Sequence, residues 1–217
     1  MIPLRDENPP SRFPVVTYSL ITLNVLIFIY MIGLPESALA AFYEQYALIP
    51  GFVTHGQMLH TLFTSAFMHG GFGHILGNML FFHIFGDNIE DRIGRLPFIL
   101  FYLLCGLAAA GAQIVVDPDS AIPMVGASGA IAGLMGGYLR LFPTSRVLTL
   151  FIFGYFSRLV YVPAYFMLIY WIFFEIINGV GSLGYVSQGG VAYFAHIGGF
   201  LSGWILISIF PRQTPNH

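Results

Sequence analysis

Six long apolar segments alternate with shorter polar stretches along the chain. They cover residues 16–33, 72–85, 98–116, 128–142, 160–177 and 192–210. A helix that crosses about 30 Å of hydrocarbon needs roughly 20 residues, because each residue adds about 1.5 Å to its length. The pattern therefore predicts an all-α, polytopic membrane protein in which six transmembrane helices form a single domain over residues 15–211.

The composition agrees with a chain that is dissolved in lipid. Only 8% of the residues are charged and 57% are apolar, a balance that soluble domains rarely have. The lipid bilayer is thus the first predicted partner, and a net charge of -2 gives no indication of nucleic acid binding. The single cysteine, Cys105, lies within an apolar segment and excludes an intrachain disulfide.

The basic residues test the number of spans, because short cytoplasmic loops of membrane proteins collect Lys and Arg. The chain has no lysine, and its arginines are Arg5, Arg12, Arg92, Arg95, Arg140, Arg146, Arg158 and Arg212. With six spans, all of these arginines fall on one side of the membrane. We therefore expect both termini in the cytoplasm, with residues 1–14 and 212–217 as short tails.

Three connecting segments have unusual patterns. The first outer loop, residues 34–71, is long and apolar, and apolar residues between positions 59 and 67 repeat at helical spacing, which predicts a helix lying in the membrane interface. Residues 179–191 contain five glycines and two serines and are predicted to form a flexible flap. The run 147–156 is too short to span and is interpreted as interfacial.

The second and fourth segments are short. As a helix, the fourth segment from Ser128 to the stop at Pro143 would cover only about 22 Å. Its outer end is therefore expected below the membrane surface, where unpaired backbone N–H groups are tolerated only beside protein or a water-filled cavity. This length predicts a hydrated pocket on the outer side.

Four polar residues lie where inward-running helices begin, and polar groups inside a membrane tend to be functional. His74 and Asn78 are four residues apart in the second span and share a face, Ser128 opens the fourth span, and His196 lies near the start of the sixth. The fourth and sixth spans are parallel, and small residues let their backbones approach. These small residues are Gly129, Gly133, Gly137, Gly199 and Gly203. Ser128 and His196 are therefore predicted to come within hydrogen-bonding distance.

The types of these residues predict nucleophilic catalysis. A serine hydroxyl becomes a nucleophile when a base takes its proton, and a neutral imidazole is the usual base near neutral pH. Ser128 is thus the candidate nucleophile and His196 the candidate general base and acid. His74, Asn78 and the backbone N–H groups at Gly126 and Ser128 are candidate donors to the oxyanion of a tetrahedral intermediate.

No acidic residue is placed by the sequence to orient the His196 ring. Asp117 and Asp119 lie in an outer loop, and Glu175 lies near the outer end of the fifth span, where a proton relay and a simple hydrogen-bonding role are both open. A Ser-His catalytic dyad is therefore predicted rather than a triad.

Three motifs give the chain a resemblance, over all six spans, to the rhomboid family of intramembrane serine proteases. They are His74-x-x-x-Asn78, Gly126-Ala127-Ser128-Gly129 and Ala195-His196-x-x-Gly199-Phe200. The resemblance implies a six-helix rhomboid-like bundle with a membrane-embedded first outer loop, no cofactor and no metal. It implies Ser128 as nucleophile, His196 as general base, and His74 and Asn78 as oxyanion donors.

The same resemblance implies the substrates and the location of the protein. Rhomboid proteases cleave transmembrane segments of other proteins, so single-span membrane proteins are the expected partners. The fifth span and the loop that follows it are expected to form the substrate gate. We expect an integral protein of a bacterial cytoplasmic (inner) membrane, with its active site opening toward the outer face.

Glu90 and Gly94 also resemble a structural feature of this family, whereas two other positions depart from it. Some members have a Trp-Arg pair in the first outer loop where Leu59-His60 stands, and a tyrosine one turn after the serine where Ala132 stands. The anchor of the loop and the packing against the catalytic base are therefore expected to differ.

Other interpretations of these residues remain open. His83 falls on the opposite face from His74 and is interpreted as structural, and His55, His60 and His69 are interpreted as interface histidines rather than metal ligands. The alternatives to a protease are a catalytically silent rhomboid-like protein that binds or escorts membrane helices, and a small transporter with a polar outer vestibule.

Overall fold

A computed structural model of the chain describes residues 1–183 and 190–213. Most of these residues are helical. In chain order the elements are β1 (Ile2–Asp6), α1 (Val15–Ile32), α2 (Glu36–Tyr46), α3 (Pro50–Thr54), α4 (Thr61–Thr64), a 3-10 turn (Ser65–Phe67), α5 (Phe72–Ile93), α6 (Arg95–Val116), α7 (Ser128–Leu141), β2 (Arg146–Phe153), β3 (Phe156–Pro163), α8 (Ala164–Ser182) and α9 (Tyr193–Leu206).

The six longest helices of the described residues coincide with the six apolar segments of the sequence. Three of them, α1, α6 and α8, are long and apolar enough to cross a membrane, and a span count of six remains a prediction. α5 continues past the predicted end at residue 85, and its last turns carry Asp87, Glu90 and Arg92. α7 has only 14 residues and is about 21 Å long, as expected from the short fourth segment.

α7 lies at the centre of the bundle and packs against α5, α6 and α9. The largest buried side chains at and around it include Phe82, Phe85, Phe98, Phe101 and Tyr138. The rings of Phe85 and Tyr138 meet edge to face with their centroids 5.0 Å apart, a geometry that adds about 0.5–1.5 kcal/mol beyond area burial. This packing fixes the position of α7 between its neighbours.

Four of the five predicted glycines lie where α7 and α9 come into backbone contact, whereas Gly137 faces α5 and α6. Gly199 lies against the carbonyl of Gly129, and Gly203 lies against the carbonyl of Gly133, so closely that no Cβ atom would fit at Gly199 or Gly203. Such close approach is typical of small-residue helix pairs in membranes, where van der Waals packing replaces the hydrophobic effect. The N-terminal halves of α7 and α9 are therefore held side by side.

The prediction of an all-α fold is wrong at the opposite end of the bundle, where β1, β2 and β3 form an antiparallel sheet. The segment predicted as an N-terminal tail supplies β1, and the run 147–156, predicted as interfacial, forms most of β2 and the turn into β3. β-Branched and aromatic residues favour strands, and Gly154, with a φ of 58°, lets the chain turn. The fifth long helix accordingly begins at Ala164, after Pro163, rather than at residue 160.

The first outer loop has more local structure than its pattern predicts. It contains α2 and α3, and the expected helix near residue 60 is reduced to α4 and the 3-10 turn. The hydroxyl groups of Thr61 and Thr64 donate to the carbonyls of Met58 and Tyr46, at 2.7 and 2.8 Å. Side-chain bonds of this kind compete with a regular helix, which explains why the helix is short.

Glu90 stabilises the start of α1 from the neighbouring helix α5. Its carboxylate accepts hydrogen bonds from the N–H groups of Val16 (3.0 Å) and Thr17 (2.7 Å) and from the Thr17 hydroxyl (2.8 Å). The first N–H groups of a helix have no acceptor within it, and a negative charge there is favourable. Gly94, with a φ of 88°, donates to the Glu90 carbonyl at 2.8 Å and ends α5. Both residues thus have structural contacts.

Arginines from separate segments gather near the sheet. Arg12 donates to the side-chain oxygen of Gln213 at 3.3 Å, and Arg92 donates to the Gln213 carbonyl at 3.4 Å. Arg146 forms an ion pair with Glu7 at 2.9 Å. This is the end of the bundle that the sequence predicts to face the cytoplasm.

The glycine-rich segment after α8 is described only in part. α8 continues through Ser182, so the first residues of the predicted flap are helical. Residues 184–189, which form its centre, lie outside the described part of the chain, as do residues 214–217 of the predicted C-terminal tail.

Candidate active site

The first outer loop fixes the backbone just before α7. Leu48 and Met124 form a β-bridge, and the N–H of Gly126 donates to the Ser65 carbonyl at 2.9 Å. That bond removes the Gly126 N–H from the predicted set of free oxyanion donors. Gly126 has a φ of 121°, which residues with a Cβ rarely adopt. The chain then enters α7 at Ser128, whose N–H belongs to the first turn and has no acceptor within the helix.

His196 lies in the first turn of α9, directly beside Ser128. Its ring Nε2 is 2.9 Å from the Ser128 Oγ. The N–H of Ala195 donates to the side-chain oxygen of Gln113 at 3.3 Å, which ties the start of α9 to α6. Ser128 and His196 are both half-buried. The hydroxyl and the ring are thus close enough for a direct proton transfer.

An acid also contacts His196, so the prediction that none does is wrong. The Oε2 of Glu175 lies 2.7 Å from the ring Nδ1. Both groups are largely shielded from solvent, with 12% of the His196 side chain and 14% of the Glu175 side chain exposed. Glu175 reaches the ring because α8 packs against α9 with this residue turned inward. The rotation of α8 about its own axis decides this contact.

A second residue of α8 packs on the same ring. The ring centroids of Trp171 and His196 are 5.8 Å apart, with an angle of 38° between the planes. Trp171 precedes Glu175 by four residues and therefore shares its face of α8. Ala132, one turn after Ser128, contributes only a methyl group, so the ring against His196 comes from α8 instead of α7.

His74 and Asn78 of α5 border the backbone that leads into Ser128. A Cβ atom at Gly126 would lie 2.7 Å from the His74 Nε2 and 3.6 Å from the Asn78 Nδ2. Asn78 is 7% exposed, and its Nδ2 has no hydrogen-bond partner within the described residues. A buried donor without an acceptor destabilises the protein and is rare. The Asn78 amide is therefore free to donate to a ligand.

His69 packs against His74 from the first outer loop. The two ring centroids are 5.1 Å apart at an angle of 66°, and His69 is only 1% exposed, so its interpretation as an interface histidine is wrong. Burial, and after it the nearby His74, lowers the pKa of His69 to about 4. His69 is therefore neutral at physiological pH and supports the His74 ring by packing.

The remaining histidines of residues 1–183 and 190–213 each have a hydrogen-bond partner. His55 and His60 are exposed, and each has a ring nitrogen close to a backbone carbonyl of the first loop, at 2.7 and 2.9 Å. The Nδ1 of His83 lies 3.2 Å from the Tyr18 hydroxyl on α1. Within residues 1–183 and 190–213, no group of three or more His, Cys, Asp or Glu side chains could hold a metal ion.

A cavity of about 760 Å³ opens beside these side chains. Its polar lining includes His74, Asn78, Gln113, Ser128, Glu175 and His196. Its apolar lining includes Phe81, Ile131, Met135 and Trp171. The volume is within the range of about 300–1,000 Å³ that is common for ligand sites. A ligand in this cavity would meet the Ser128 hydroxyl and the free Asn78 amide together.

Sequence reasoning found the four polar residues around the cavity and missed Trp171, Glu175 and the packing role of His69. A signal for the first two is present in the sequence. They are spaced i, i+4 on one face of an apolar helix, the same spacing that pairs His74 with Asn78. Two polar or amphipathic groups on one face of a span mark that face as the one turned to the protein interior.

Comparisons with known proteins match most of the chain. The family model described as "Rhomboid domain" matches residues 56–213. RHOMBOID-like protein 1 of Arabidopsis thaliana is 33% identical over 165 residues, covering 76% of this chain and 38% of that protein. The Bacillus subtilis (strain 168) protein named "Putative rhomboid protease YdcA" is 30% identical over 139 residues, covering 63% of this chain and 68% of that protein.

A fungal relative matches over a longer stretch. Rhomboid protein 1, mitochondrial, of Saccharomyces cerevisiae is 26% identical over 211 residues, covering 91% of this chain and 55% of that protein. The chain spans less than half the length of the first plant relatives that it matches. The region matched by the family model nevertheless contains the helices that carry Ser128, His196, His74 and Asn78. The chain belongs to the rhomboid family.

Proposed function

We propose that the protein is an intramembrane serine endopeptidase that hydrolyses peptide bonds in or near the transmembrane segments of other membrane proteins. The observation that carries the proposal is the 2.9 Å contact between the Ser128 Oγ and the His196 Nε2. A base at this distance is what activates a serine hydroxyl. Membership of the rhomboid family and the apolar helices support a substrate that lies in the bilayer.

The reaction uses two acyl-transfer steps. The Ser128 Oγ attacks the carbonyl carbon of the scissile peptide while its proton passes to the His196 Nε2. The tetrahedral intermediate collapses, the C–N bond breaks, and His196 gives the proton to the leaving nitrogen, so that an ester on Ser128 remains. A water molecule then attacks the ester with His196 again as base, which releases the new carboxyl group and the free hydroxyl.

The negative oxygen of the tetrahedral intermediate is assigned three donors: the Asn78 amide, the His74 ring and the backbone N–H of Ser128. The unpartnered and buried Nδ2 of Asn78 supports this assignment most directly. Donors that are already oriented stabilise developing charge more strongly in a water-poor site than in water. The Gly126 N–H is left out, because it donates to Ser65.

A fluorophosphonate probe, which reacts with activated serines, tests the nucleophile. We expect the detergent-solubilised wild type to be labelled, and Ser128→Ala and His196→Ala to lose labelling. Ser202→Ala is the matched control, since the Ser202 hydroxyl on α9 donates to the Gly199 carbonyl at 2.8 Å and should keep labelling. Labelling that persists in Ser128→Ala would overturn the assignment.

The substrate class is tested by co-expression with single-span membrane proteins. We expect the wild type to release fragments and Ser128→Ala to release none. Substrates whose span contains small or polar residues should be cleaved best, because backbone must leave its helix before it can reach a serine. Stable association with a membrane helix without any cleavage would favour the escort function instead.

We infer an orientation in the bacterial cytoplasmic membrane in which both termini face the cytoplasm and the cavity opens outward. Arg12, Arg92 and Arg146 lie at one end of the bundle, whereas Ser128 begins α7 at the other. An impermeant thiol reagent shows on which side of the membrane an introduced cysteine lies, and the native Cys105 does not interfere because it is buried. A cysteine at position 44 should react in intact cells, and one at position 158 should not.

A further inference from the structure

We propose that Glu175 is a positioning residue for the His196 ring, so that hydrolysis depends on a Ser-His-Glu triad instead of the predicted dyad. This inference rests on the proposed function. The Glu175 Oε2 lies 2.7 Å from Nδ1 of His196, and the Ser128 Oγ lies 2.9 Å from Nε2 of the same ring. Each ring nitrogen of His196 thus has its own partner.

The chemistry of the two contacts fixes the tautomer of the ring. An ionised carboxylate only accepts hydrogen bonds, so the contact at 2.7 Å requires the proton of a neutral His196 to sit on Nδ1. Nε2 then carries the lone pair and accepts the Ser128 hydroxyl proton. The opposite tautomer would place an N–H against Ser128 and could not take its proton.

The carboxylate also stabilises the charge that forms during the reaction. When the Ser128 proton reaches Nε2, the ring becomes an imidazolium whose Nδ1–H already points at Glu175. A negative charge at this distance stabilises the cation, and it does so more strongly where water is scarce. The 14% exposed Glu175 side chain and the 12% exposed His196 side chain meet that condition.

Trp171 and Glu175 together define the place of the ring. Both lie on one face of α8; Trp171 packs against the His196 ring in a tilted arrangement, and Glu175 contacts its Nδ1. The backbone of His196 is held separately, since α9 is anchored to α7 at Gly199 and Gly203. The backbone of His196 is therefore positioned by α7, and its ring is positioned by α8.

Glu175→Gln tests the role of the carboxylate with almost no change in volume. A glutamine can turn its NH2 group toward Nδ1, which favours the wrong tautomer, so we expect kcat on a cleaved substrate to fall by about 10²–10⁴-fold. We expect KM to change little, because Glu175 does not bind the scissile peptide. Glu175→Asp, which keeps the charge, should recover part of the lost kcat. Glu44→Gln, on the exposed side of α2, is the control and should match the wild type.

A spectroscopic measurement separates positioning from mere packing. A short hydrogen bond between an imidazole N–H and a carboxylate gives a proton NMR signal far downfield, and this signal does not require activity. We expect it in the inactive Ser128→Ala protein and expect it to disappear in Ser128→Ala/Glu175→Gln, with the melting temperature little changed.

The outcomes distinguish this inference from the proposed function. A wild type that neither reacts with the fluorophosphonate nor cleaves any substrate would contradict the protease itself. A wild type that cleaves, together with a Glu175→Gln protein of equal kcat, would overturn the triad and leave the dyad. An increase in KM with kcat unchanged would assign Glu175 to substrate binding and would equally overturn the proposal.

Discussion

The two ends of α7 carry polar clusters that differ in whether each buried polar group has a hydrogen-bond partner. The inner polar cluster, at the end near the sheet, consists of Asp6, Asn8, Asn88, Tyr138 and Ser145. Tyr138 donates to Asp6 at 2.6 Å, and Asn8 donates to Tyr138 at 3.0 Å and to Ser145 at 2.7 Å. Asn88 donates to Asp6 at 3.0 Å. Within the described residues, none of its buried side-chain nitrogens or oxygens lacks a partner.

The outer cluster around Ser128 is left incomplete. Its buried Asn78 amide has no partner among the described residues, and its hydroxyl and imidazole border a cavity of about 760 Å³. A closed hydrogen-bond network contributes to stability, whereas free donors beside a cavity contribute to binding or catalysis. Between these two clusters, a free donor beside a cavity, more than the presence of polar residues, separates the candidate site from the scaffold; the buried Asn24 Oδ1 and Tyr102 hydroxyl also lack partners in the described part of the chain but do not line the cavity.

Among the variants that compare the two clusters, Asn78→Ala has the largest expected effect. Loss of an oxyanion donor should lower turnover by up to about 10²-fold if the His74 and Ser128 donors do not replace it. The melting temperature should stay the same or rise, because a buried donor without a partner disappears. Turnover of a cleaved substrate and a thermal melt, measured on the same variant, show whether Asn78 acts in catalysis or in stability. A large drop in melting temperature with unchanged turnover would assign Asn78 to the scaffold.

Acidification should lower the stability of the protein through the buried His69, which packs beside the outer cluster. The pKa of His69 is lowered to about 4, so the unfolded chain binds more protons than the folded one between that value and the unperturbed value of about 6.5. Stability is therefore complete above about 6.5 and is lost as the pH falls toward 4, by roughly 2 kcal/mol at pH 5. Thermal melts at pH 7 and pH 5 should show the loss.

The same melts on two variants assign the acid effect to His69. His69→Phe should flatten the change between pH 7 and pH 5, whereas His55→Gln, at an exposed site, should leave it as in the wild type. Burial raises the pKa of Asp6, so this carboxyl makes the inner end lose stability as the pH rises, in the opposite direction. An unchanged pH dependence in His69→Phe would refute the assignment.

Tyr138→Phe tests the inner polar cluster. It removes the donor to Asp6 and the acceptor for Asn8, which should lower the stability by about 1–2 kcal/mol. Fluorophosphonate labelling of Ser128 at a temperature well below the melt should not change. If labelling falls while the melting temperature is unchanged, the inner polar cluster affects the reactivity of Ser128 and the two clusters are not independent.

Glu7→Gln should have the smallest effect of the series. It removes an ion pair with Arg146 in which both side chains are exposed, 36% and 60% respectively. Exposed pairs contribute less than about 1 kcal/mol, so both the melting temperature and the turnover should stay near the wild-type values. A clear loss of stability would mean that the strand pairing of β1 depends on this contact.

The six longest helices could be predicted from the sequence because each coincides with an apolar segment. In lipid, an apolar segment that spans the membrane must form a helix or part of a closed barrel. The proximity of Ser128 to His196 followed from glycines that let α7 and α9 touch. The strands were not accessible, because the run 147–156 was too short to span and its pairing with residues 2–6 links segments more than 140 residues apart. Such long-range pairing leaves no local signal.

Glu175 shows the other limit of sequence reasoning. Its position near the end of an apolar segment is evident from the sequence, but its contact with His196 depends on which face α8 turns to α9. The i, i+4 pair Trp171 and Glu175 indicates that face only when both residues are considered together. Asn78 was easier to assign, since His74 already marked its face as functional.

The hydroxyl, imidazole and carboxylate groups of the proposed triad come from three different helices. The serine and the imidazole are on α7 and α9, which touch backbone to backbone, whereas the carboxylate is on α8, whose buried residues are Ala164, Met167, Leu168 and Gly179. An outward shift of α8 withdraws the carboxylate and leaves the serine and imidazole together. The packing of α8 on α9, which brings Glu175 to the His196 ring, would therefore set how strongly the imidazole is supported as a base.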